Sequence, residues 1–236
     1  HKMNEVMSVS DRVTVLRAGA VVGTVPTSHI SPEALATMMV GRKIEAAKRT
    51  GKVSSGKAVL ELDQVWANAD NDLPALKGLS LTVREGEILG LAGVSGNGQR
   101  ELAEVISGLR PATQGNVRLG GKDLTGAPPA AMIDAGLGYV PEDRLTFGIV
   151  QSFSVEENLI LKDHHRPPFA RWIFLQNDVI RDWSRKTVEA FDVRTPSVET
   201  RAGSLSGGNI QKVILARDIS RKPAVLLACY PTRGVD

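Results

Sequence analysis

The scarcity of cysteine and aromatic residues sets the first limits on this protein. Its 236 residues include one cysteine, Cys229, and only 4% aromatic residues. One thiol cannot form an internal disulfide, so the sequence does not indicate an oxidising compartment. Few aromatic rings and a formal net charge of only +3 argue against the stacking platforms and basic surfaces of nucleic-acid binders. We therefore expect no nucleic-acid partner.

Long apolar runs are also missing from the sequence. No run approaches the roughly 18 residues that a membrane-spanning helix requires. The opening residues, His1 to Asn4, show no apolar core of a signal peptide. With 42% hydrophobic and 23% charged residues, the composition is typical of a soluble globular protein that can bury a core.

Three zones follow one another along the chain. Residues 1–42 are predicted to hold two helices and two strands, which is too little for a domain, so we interpret them as the end of a preceding one. Residues 43–57 contain five Lys/Arg, one Glu and almost no large apolar side chain, as a linker does. In residues 58–236 strands alternate with helices, which predicts an α/β domain with a largely parallel sheet. Its helical middle, about residues 145–203, is predicted to be an inserted subdomain.

Local signals predict the individual elements. Ser31 followed by Pro32 opens a helix, and Ser154 with Glu157 forms a capping box. The predicted strands are Val13–Leu16, Ala20–Val25, Val59–Val65, Leu79–Val83, Ile88–Ala92 (buried) and Ala224–Cys229. The predicted helices cover Asn4–Val9, the segment after Ser31, Gln99–Ser107, Ser154 to about Leu161, Asn177–Phe191, and the segment from Leu205–Asn209 to about Ile219.

A glycine-rich turn joins the predicted strand Ile88–Ala92 to the next helix. Its residues are Gly93-Val94-Ser95-Gly96-Asn97-Gly98-Gln99-Arg100. The glycine spacing matches the phosphate loop G-x-x-x-x-G-K-[ST], whose glycines let the backbone wrap a phosphate at a helix N-terminus. However, Gln99 replaces the lysine that reaches the phosphates, and Arg100 replaces the hydroxyl that ligates Mg²⁺. The motif alone leaves open a degenerate phosphate site and a tight turn without a ligand.

The role of Arg100 has two interpretations at this stage. Its guanidinium could supply positive charge beside the glycine turn. Alternatively, it could pair with Glu104, which lies four positions further along the same predicted helix and therefore on the same face. The sequence leaves both interpretations open.

A second glycine-rich helix start lies a little over one hundred residues further along. It reads Ser204-Leu205-Ser206-Gly207-Gly208-Asn209-Ile210-Gln211-Lys212 and resembles the LSGGQ/LSGGN signature of ABC ATPases. Ser206 is placed to cap the helix, and two glycines expose N–H groups to an anion. An ordinary capped helix is the alternative, which the preceding phosphate-loop frame disfavours.

The sequence closes with Pro231-Thr232-Arg233-Gly234-Val235-Asp236 after a predicted strand. This resembles the end of the Walker B segment and the D-loop, L-D-E-P-T-x-G-x-D, with Asp236 at the D-loop position. Cys229 and Tyr230 stand where Asp would hold Mg²⁺ and Glu would polarise the attacking water. Neither side chain suits these roles near pH 7, because both are mostly protonated.

The resemblance covers nearly the whole chain and is closest to the ATP-binding proteins of simple-sugar and nucleoside importers, which carry two ATPase domains in tandem. The matching segments are His1-Lys2-Met3-Asn4-Glu5-Val6, Asp11–Arg17, Met39–Arg42, Leu76–Leu81, Gly138–Arg144, the LSGGN sequence and P-T-R-G. The G-N-G-Q loop and the altered Walker B segment look most like the nucleoside branch. The resemblance implies a P-loop NTPase fold of the ABC type, with the chain running from within the first domain to the D-loop of the second.

The resemblance also implies how the site residues are shared. In this family each ATP site joins the phosphate loop of one domain to the signature of the other. His1 would be the switch histidine of the first domain's site, and Leu205–Asn209 would close that site in trans. Glu142 occupies the Q-loop position. ATP would be the ligand, with Mg²⁺ at the partner domain's site, because four chemical positions of this domain are altered together.

The partners implied are the transmembrane permease subunits, the first ATPase domain and, indirectly, a periplasmic or lipoprotein substrate-binding protein, with the subunit on the cytoplasmic face of the membrane. A soluble regulatory or ribosome-associated ABC protein is the alternative. The ribosome-associated form is disfavoured because no long charged helical insertion fits between the loop and the signature. The regulatory form stays open, although the tandem arrangement with importer-type motifs disfavours it. Trp66 precedes the usual adenine-stacking position and is interpreted as strand packing. The spacing of His29, His164 and His165 suits no metal site, so we interpret these residues as exposed.

Overall fold

A computed structural model describes residues 3–42, 56–94 and 96–232 of the chain. The chain divides into two compact units, residues 1–52 and 53–236. Most of the predicted linker lies outside the described residues. The domain limits inferred from the sequence therefore remain predictions.

The first unit contains a β-hairpin and two helices. Its elements are α1 (Met3–Val9), β1 (Arg12–Arg17), β2 (Ala20–Pro26) and α2 (Pro32–Val40). Strands β1 and β2 pair antiparallel around a turn in which Ala18 and Gly19 have φ angles of 50° and 79°. The Ser31 hydroxyl accepts the N–H of Ala34 at 3.2 Å, so the predicted cap of α2 is confirmed.

The second unit contains the strands and helices that place the candidate site. The strands are β3 (Ala58–Asn68), β4 (Pro74–Arg84), β5 (Gln114–Leu119), β6 (Lys122–Asp123), β7 (Leu137–Val140), β8 (Ala170–Arg171), β9 (Phe174–Leu175) and β10 (Val225–Ala228). The helices are α3 (Gln99–Ile106), α4 (Pro129–Asp134), α5 (Val155–Ile160), α6 (Asn177–Ala190) and α7 (Gly207–Ser220). Among the described residues, no helix has both the length and the apolar character needed to cross a bilayer.

The prediction of a largely parallel sheet is wrong for the described residues. Strands β4, β3, β5 and β6 form an antiparallel sheet in that order, and only β7 and β10 pair in parallel. For β3 and β4 the reason is the short connection between them, residues 69–73. A parallel pair needs a crossover of about a dozen residues, which so short a turn cannot provide.

The buried strand predicted at Ile88–Ala92 is also not formed. The segment has no strand pairing, and the side chains of Ile88 and Leu91 are 81% and 56% exposed. It borders a cavity of about 560 Å³ that is lined by apolar residues of β3, β4, α3 and β10. An apolar run favours burial, but a strand also needs a neighbouring strand whose N–H and C=O groups pair with it, and none of the described strands pairs with this segment.

The capping box at the start of α5 is confirmed in both directions. Ser154 Oγ accepts the N–H of Glu157 at 3.1 Å, and the Glu157 carboxylate accepts the N–H of Ser154 at 2.7 Å. Helix α6 begins at Asn177, as predicted, and ends one residue early. These two helices lie within residues 145–203, whose status as a separate subdomain stays a prediction.

Helix α7 lies at the centre of the packing in the second unit. Val213, Ile214 and Ala216 on this helix are completely buried. Ile214 packs in a cluster with Val140 of β7, whereas Val213 packs with residues of α5. The start of α7 is therefore held against both the parallel strand pair and the helical segment, which keeps the signature residues at a defined place.

A separate core joins the antiparallel sheet to α3. Its buried residues include Leu60, Leu62, Leu102 and Ile106. Trp66 lies on β3 close to Gly78 of β4, where a Cβ would come within 3.2 Å of the indole Nε1. This position agrees with the interpretation of Trp66 as strand packing.

Candidate functional site: a phosphate-loop frame and a signature helix

The glycine-rich turn leads directly into α3. Gly96 and Gly98 have φ angles of 89° and 94°, a left-handed conformation that side chains with a Cβ rarely adopt. A Cβ at Gly98 would also lie 2.9 Å from the carbonyl oxygen of Ala75. Ser95 lies outside the described residues. The two glycines thus have a backbone conformation that suits a tight turn into the helix.

The side chain of Gln99 folds back into this turn. Its Nε2 donates to the carbonyl oxygen of Val94 at 3.0 Å, and its Oε1 accepts the N–H of Asn97 at 3.2 Å. A Cβ at Gly93 would overlap the same Nε2 atom. The carboxamide therefore occupies the inside of the turn and uses one of the N–H groups with which such a loop would bind an anion.

Arg100 does not supply a free positive charge beside the turn. Its guanidinium contacts Glu104 at 2.8 Å and Asp70 at 3.0 Å, so the pairing with Glu104 is the interpretation that the structure confirms. The hydrogen bond to Glu104 is the main cause that raises the pKa of Arg100. Arg110 binds the same two carboxylates and, by its hydrogen bond, lowers the pKa of Asp70. Two cations and two anions are thus paired with one another.

Cys229 and Tyr230 follow strand β10. The N–H of Cys229 donates to the carbonyl oxygen of Val140 at 2.9 Å, and the half-buried thiol has a raised pKa, mainly because of burial. The negative charge of Glu142 raises this pKa further. The side chain of Tyr230 is 60% exposed. Cys229 is therefore a neutral thiol near pH 7, which is a poor ligand for Mg²⁺.

Glu142 lies in an exposed turn just after β7. Because β7 and β10 are parallel neighbours, their carboxyl ends bring Glu142 and Cys229 to the same edge. Next to them, burial raises the pKa of Tyr139 to about 12, with smaller contributions from the charges of Cys229 and Glu104. The charge of Glu104 on α3 therefore acts on Tyr139, near the ends of the two strands.

The signature helix α7 begins at Gly207, with Ser206 as its N-cap residue. The expectation that the Ser206 side chain caps the backbone is wrong: it makes no cap hydrogen bond and instead accepts a hydrogen bond from Nδ2 of Asn209 at 3.0 Å. Asn209 reaches the hydroxyl from one turn further along the helix, so a side chain replaces the backbone N–H as donor. Leu205 packs partly buried against two apolar clusters.

The two glycines of the signature keep the helix end open. Within the ranges that the structure describes, the N–H groups of Gly207, Gly208 and Asn209 donate to no acceptor, as is usual for the first turn of a helix. The Arg144 guanidinium lies so close to Gly207 that a Cβ there would overlap it. Small residues are therefore required at this helix end for two reasons. They leave room for the Arg144 guanidinium, and they keep the free N–H groups accessible.

Comparison with known proteins assigns the family. Residues 76–233 match the family model described as ABC transporter. The chain belongs to the ABC transporter family. Its α/β fold is that of the ATP-binding cassettes: it is similar to a nucleotide-free cassette from an ABC transporter, with a TM-score of 0.61 and 24% identity over 76% of this chain and 71% of that one. A dimeric cassette in a post-hydrolysis state, bound to ADP and Pi, also has a TM-score of 0.61, with 22% identity over 75% of this chain and 76% of that one.

Three curated ABC relatives match over nearly the whole chain. A glucose import ATP-binding protein of Haloferax volcanii is 49% identical over 100% of this chain and 43% of its own length. A nucleoside import ATP-binding protein of Lactococcus lactis is 39% identical, over 100% of this chain and 47% of its own. A guanosine import ATP-binding protein of Bacillus subtilis is 37% identical, over 97% and 45%. The chain thus spans less than half the length of the relatives it matches.

Several predicted site residues of this ABC chain fall outside the described residues, namely His1, Ser95 and Asp236. Of the others, Gln99 and Arg100 lie at the glycine turn, while Glu142 and Cys229 lie at the strand ends nearby. The side-chain hydrogen bonds of Ser206 and Asn209 join these two residues to each other and to Arg194, and none joins them to the glycine turn. His29, His164 and His165 are exposed, and the described part of the chain contains no group of residues suited to a metal ion.

Sequence reasoning missed a buried charged cluster at the C-terminal end of helix α7. Asp218 is completely buried and accepts the N–H of Tyr139 at 3.0 Å, while it also forms ion pairs with Lys162 and Arg217. Burial is the main cause that lowers the pKa of Lys162. Arg217 donates to the carbonyl oxygen of Gly148 at 2.8 Å. One signal was available, since Asp218 follows the apolar Ile214 by four positions and so shares its helix face.

Proposed function

We propose that this chain is part of the ATP-hydrolysing, energy-coupling subunit of an ABC importer for simple sugars or nucleosides. In this proposal the domain at residues 58–236 does not hydrolyse ATP at its own phosphate-loop frame. It contributes the signature Leu205–Asn209 to a competent site whose phosphate loop belongs to the first ATPase domain. The names of the relatives, which are import ATP-binding proteins for glucose, nucleosides and guanosine, support the substrate class.

One contrast within the second domain carries the proposal. The turn at Gly93–Gly98 is filled by the domain's own Gln99, whereas the helix end at Ser206–Asn209 keeps its backbone donors free. Phosphoryl transfer needs donors aimed at the γ-phosphate, and these strengthen as negative charge develops there. The signature end can provide them, while the glycine turn has neither a free lysine nor a carboxylate to bind the metal.

Mg²⁺ does not fit the degenerate site. At its four chemical positions stand a carboxamide, a guanidinium, a thiol and a phenol, in Gln99, Arg100, Cys229 and Tyr230. The guanidinium is cationic and the thiol pKa is raised, so neither offers the anionic oxygen that Mg²⁺ prefers. We therefore place ATP and Mg²⁺ at the first domain's site, with His1 as its switch histidine.

The proposal implies the same partners as the family resemblance. The subunit would bind transmembrane permease subunits on the cytoplasmic face of the membrane, near Glu142, and a periplasmic or lipoprotein substrate-binding protein would act through them. Helix α7, which starts at the signature, contacts Gly148 and Tyr139 through Arg217 and Asp218. This arrangement would transmit a movement at the Glu142 turn to the signature residues.

The test compares two variants of the full-length protein assembled with its membrane subunits. Ser206→Arg places a bulky cation at the exposed helix end and should block closure over the partner's nucleotide. Loss of one stabilising donor typically lowers the rate by about 10²–10³-fold, so most ATP turnover and uptake should be lost. Gln99→Ala should have a much smaller effect. Near-normal turnover of Ser206→Arg together with loss in Gln99→Ala would overturn the composite-site proposal.

A further inference from the structure

The side-chain amide of Asn209 has a fixed orientation. Its Oδ1 accepts the backbone N–H of Arg194 at 2.8 Å, and its Nδ2 donates to Ser206 Oγ at 3.0 Å. A backbone N–H can only donate, so the amide oxygen must face Arg194. The NH₂ group must then face Ser206. The contact with Arg194 therefore settles which end of the amide meets the hydroxyl.

This orientation determines what the Ser206 hydroxyl can do. A serine hydroxyl has one proton to donate and two lone pairs that accept. Asn209 can only donate at this contact, so it uses a lone pair and leaves the proton of Ser206 directed elsewhere. Ser206 is exposed and does not cap the backbone. Its O–H is therefore presented at the helix end as a donor, beside the free N–H groups of Gly207 and Gly208.

The turn that orients Asn209 is itself held on helix α7. Lys212 Nζ donates to the backbone carbonyl of Asp192 at 2.6 Å and contacts the Asp192 carboxylate at 2.7 Å. Val193, between Asp192 and Arg194, is buried in the cluster that includes Val213 of α7. Since Asn209 and Lys212 lie three residues apart on the same helix, the turn is anchored on both sides of Val193.

We propose that Asn209 is a positioning residue that directs the Ser206 O–H proton toward the γ-phosphate of ATP at the partner domain's site. This inference rests on the function proposed above, in which Ser206 closes that site. Asn209 does not contact the nucleotide in this role. It acts by accepting from Arg194 and donating to Ser206, which occupies a lone pair of the hydroxyl and leaves its O–H proton to be donated elsewhere.

The decisive variant is Asn209→Asp in the full-length protein with its membrane subunits. Aspartate keeps an oxygen for the N–H of Arg194, but it has no donor for Ser206. The serine hydroxyl then turns to donate to the new carboxylate and no longer donates to the γ-phosphate. We expect kcat for ATP hydrolysis to fall by about 10²-fold, as for one lost donor, with a smaller change in KM and an unchanged melting temperature.

Two further variants separate positioning from a structural role. Asn209→Ala removes both hydrogen bonds but lets the hydroxyl rotate freely, so it should retain more activity than Asn209→Asp while melting at a lower temperature. A purely structural role predicts the opposite order of activities, and that result would overturn the proposal. Asn177→Asp, at the exposed first turn of α6, adds the same charge elsewhere and should hydrolyse ATP at the wild-type rate.

A double-mutant cycle with Ser206→Ala tests whether Asn209 acts through the hydroxyl. If it does, Asn209→Asp should lower kcat little further once Ser206 is alanine. Independent, multiplying losses would mean that the carboxylate repels the phosphate directly, and would overturn the positioning role. Wild-type turnover of Ser206→Ala would instead refute the proposed function, whereas a defective Ser206→Ala beside a fully active Asn209→Asp refutes only this inference.

Discussion

The buried carboxylate of Asp218 accepts the backbone N–H of Tyr139 at 3.0 Å. This contact joins helix α7, which starts at the signature, to strand β7, which leads to Glu142. Lys162 and Arg217 pair with the same carboxylate, so its charge is matched and its oxygens are bonded. The helix end proposed to meet ATP and the turn proposed to meet the permease are thus linked through one side chain.

The first prediction concerns the stability contributed by this cluster. Asp218→Ala leaves Lys162 and Arg217 without their buried anion, and removing one partner of a buried pair typically costs about 3–5 kcal/mol. The free energy of unfolding in urea should fall by about this amount. Asp182→Ala is the control, because Asp182 is 71% exposed and its ion pair with Arg185 is long, at 3.8 Å; it should change stability by less than about 1 kcal/mol. Equal effects of the two variants would contradict the role given to Asp218.

The second prediction concerns ATP turnover by this chain alone. We expect no ATPase activity above background and little dependence of any nucleotide binding on Mg²⁺, because Gln99 fills the glycine turn and Arg100 is paired with Asp70 and Glu104. Phosphate release from Mg·ATP by the purified chain measures this. Clear turnover that disappears when Gly98 is substituted would show that the degenerate site is active.

The third prediction is that Gln99→Lys does not restore hydrolysis. The lysine would remove the carboxamide from the turn and add a charge for the phosphates, so ATP binding should become tighter. Turnover should stay at background, because the metal ligand and the water-polarising carboxylate are still absent at Cys229 and Tyr230, and such groups act as a unit. Fluorescent-nucleotide titration and phosphate release measure the two quantities. Substantial turnover would mean that positions 229 and 230 are wrongly assigned.

The fourth prediction uses Cys229, which is the only cysteine of the chain. Burial and the charge of Glu142 raise its pKa, so the reactive thiolate is scarce and alkylation at pH 8 should be slower in the folded chain than in urea. Glu142→Gln should accelerate alkylation of the folded chain, by less than the roughly tenfold that one pKa unit would give. Glu189→Gln, on the exposed side of α6, should leave the rate unchanged. An unchanged rate in Glu142→Gln would show that the charge of Glu142 does not affect the thiol of Cys229.

The same raised pKa has a consequence for stability. A thiol whose pKa is higher in the folded state favours folding as long as it is protonated in both states. Its contribution is therefore complete below the pKa of the unfolded thiol, about 8.5, and is lost as the pH rises through the folded value. Urea titrations of the wild type and of Cys229→Ser should diverge only above that pH, with the wild type losing stability more steeply.

Much of the local structure could be predicted from residues close together in the chain. The caps at Ser31 and Ser154, and the starts of α3 at Gln99 and of α6 at Asn177, agree with the sequence-based predictions. Each depends on a hydrogen bond or a backbone preference that spans only a few residues. The family could be recognised for the same reason, because the glycine turn and the signature are short continuous motifs.

The sequence alone was therefore enough to determine the family and several helix starts, whereas tertiary structure decided how these parts are paired. The antiparallel order of β4, β3, β5 and β6, the exposed course of Ile88–Ala92 and the burial of Asp218 were not predicted. Asp218 and Tyr139, for example, are 79 positions apart. Pairing and burial depend on which distant elements supply hydrogen-bond partners and exclude water, and no local pattern of residues specifies those partners.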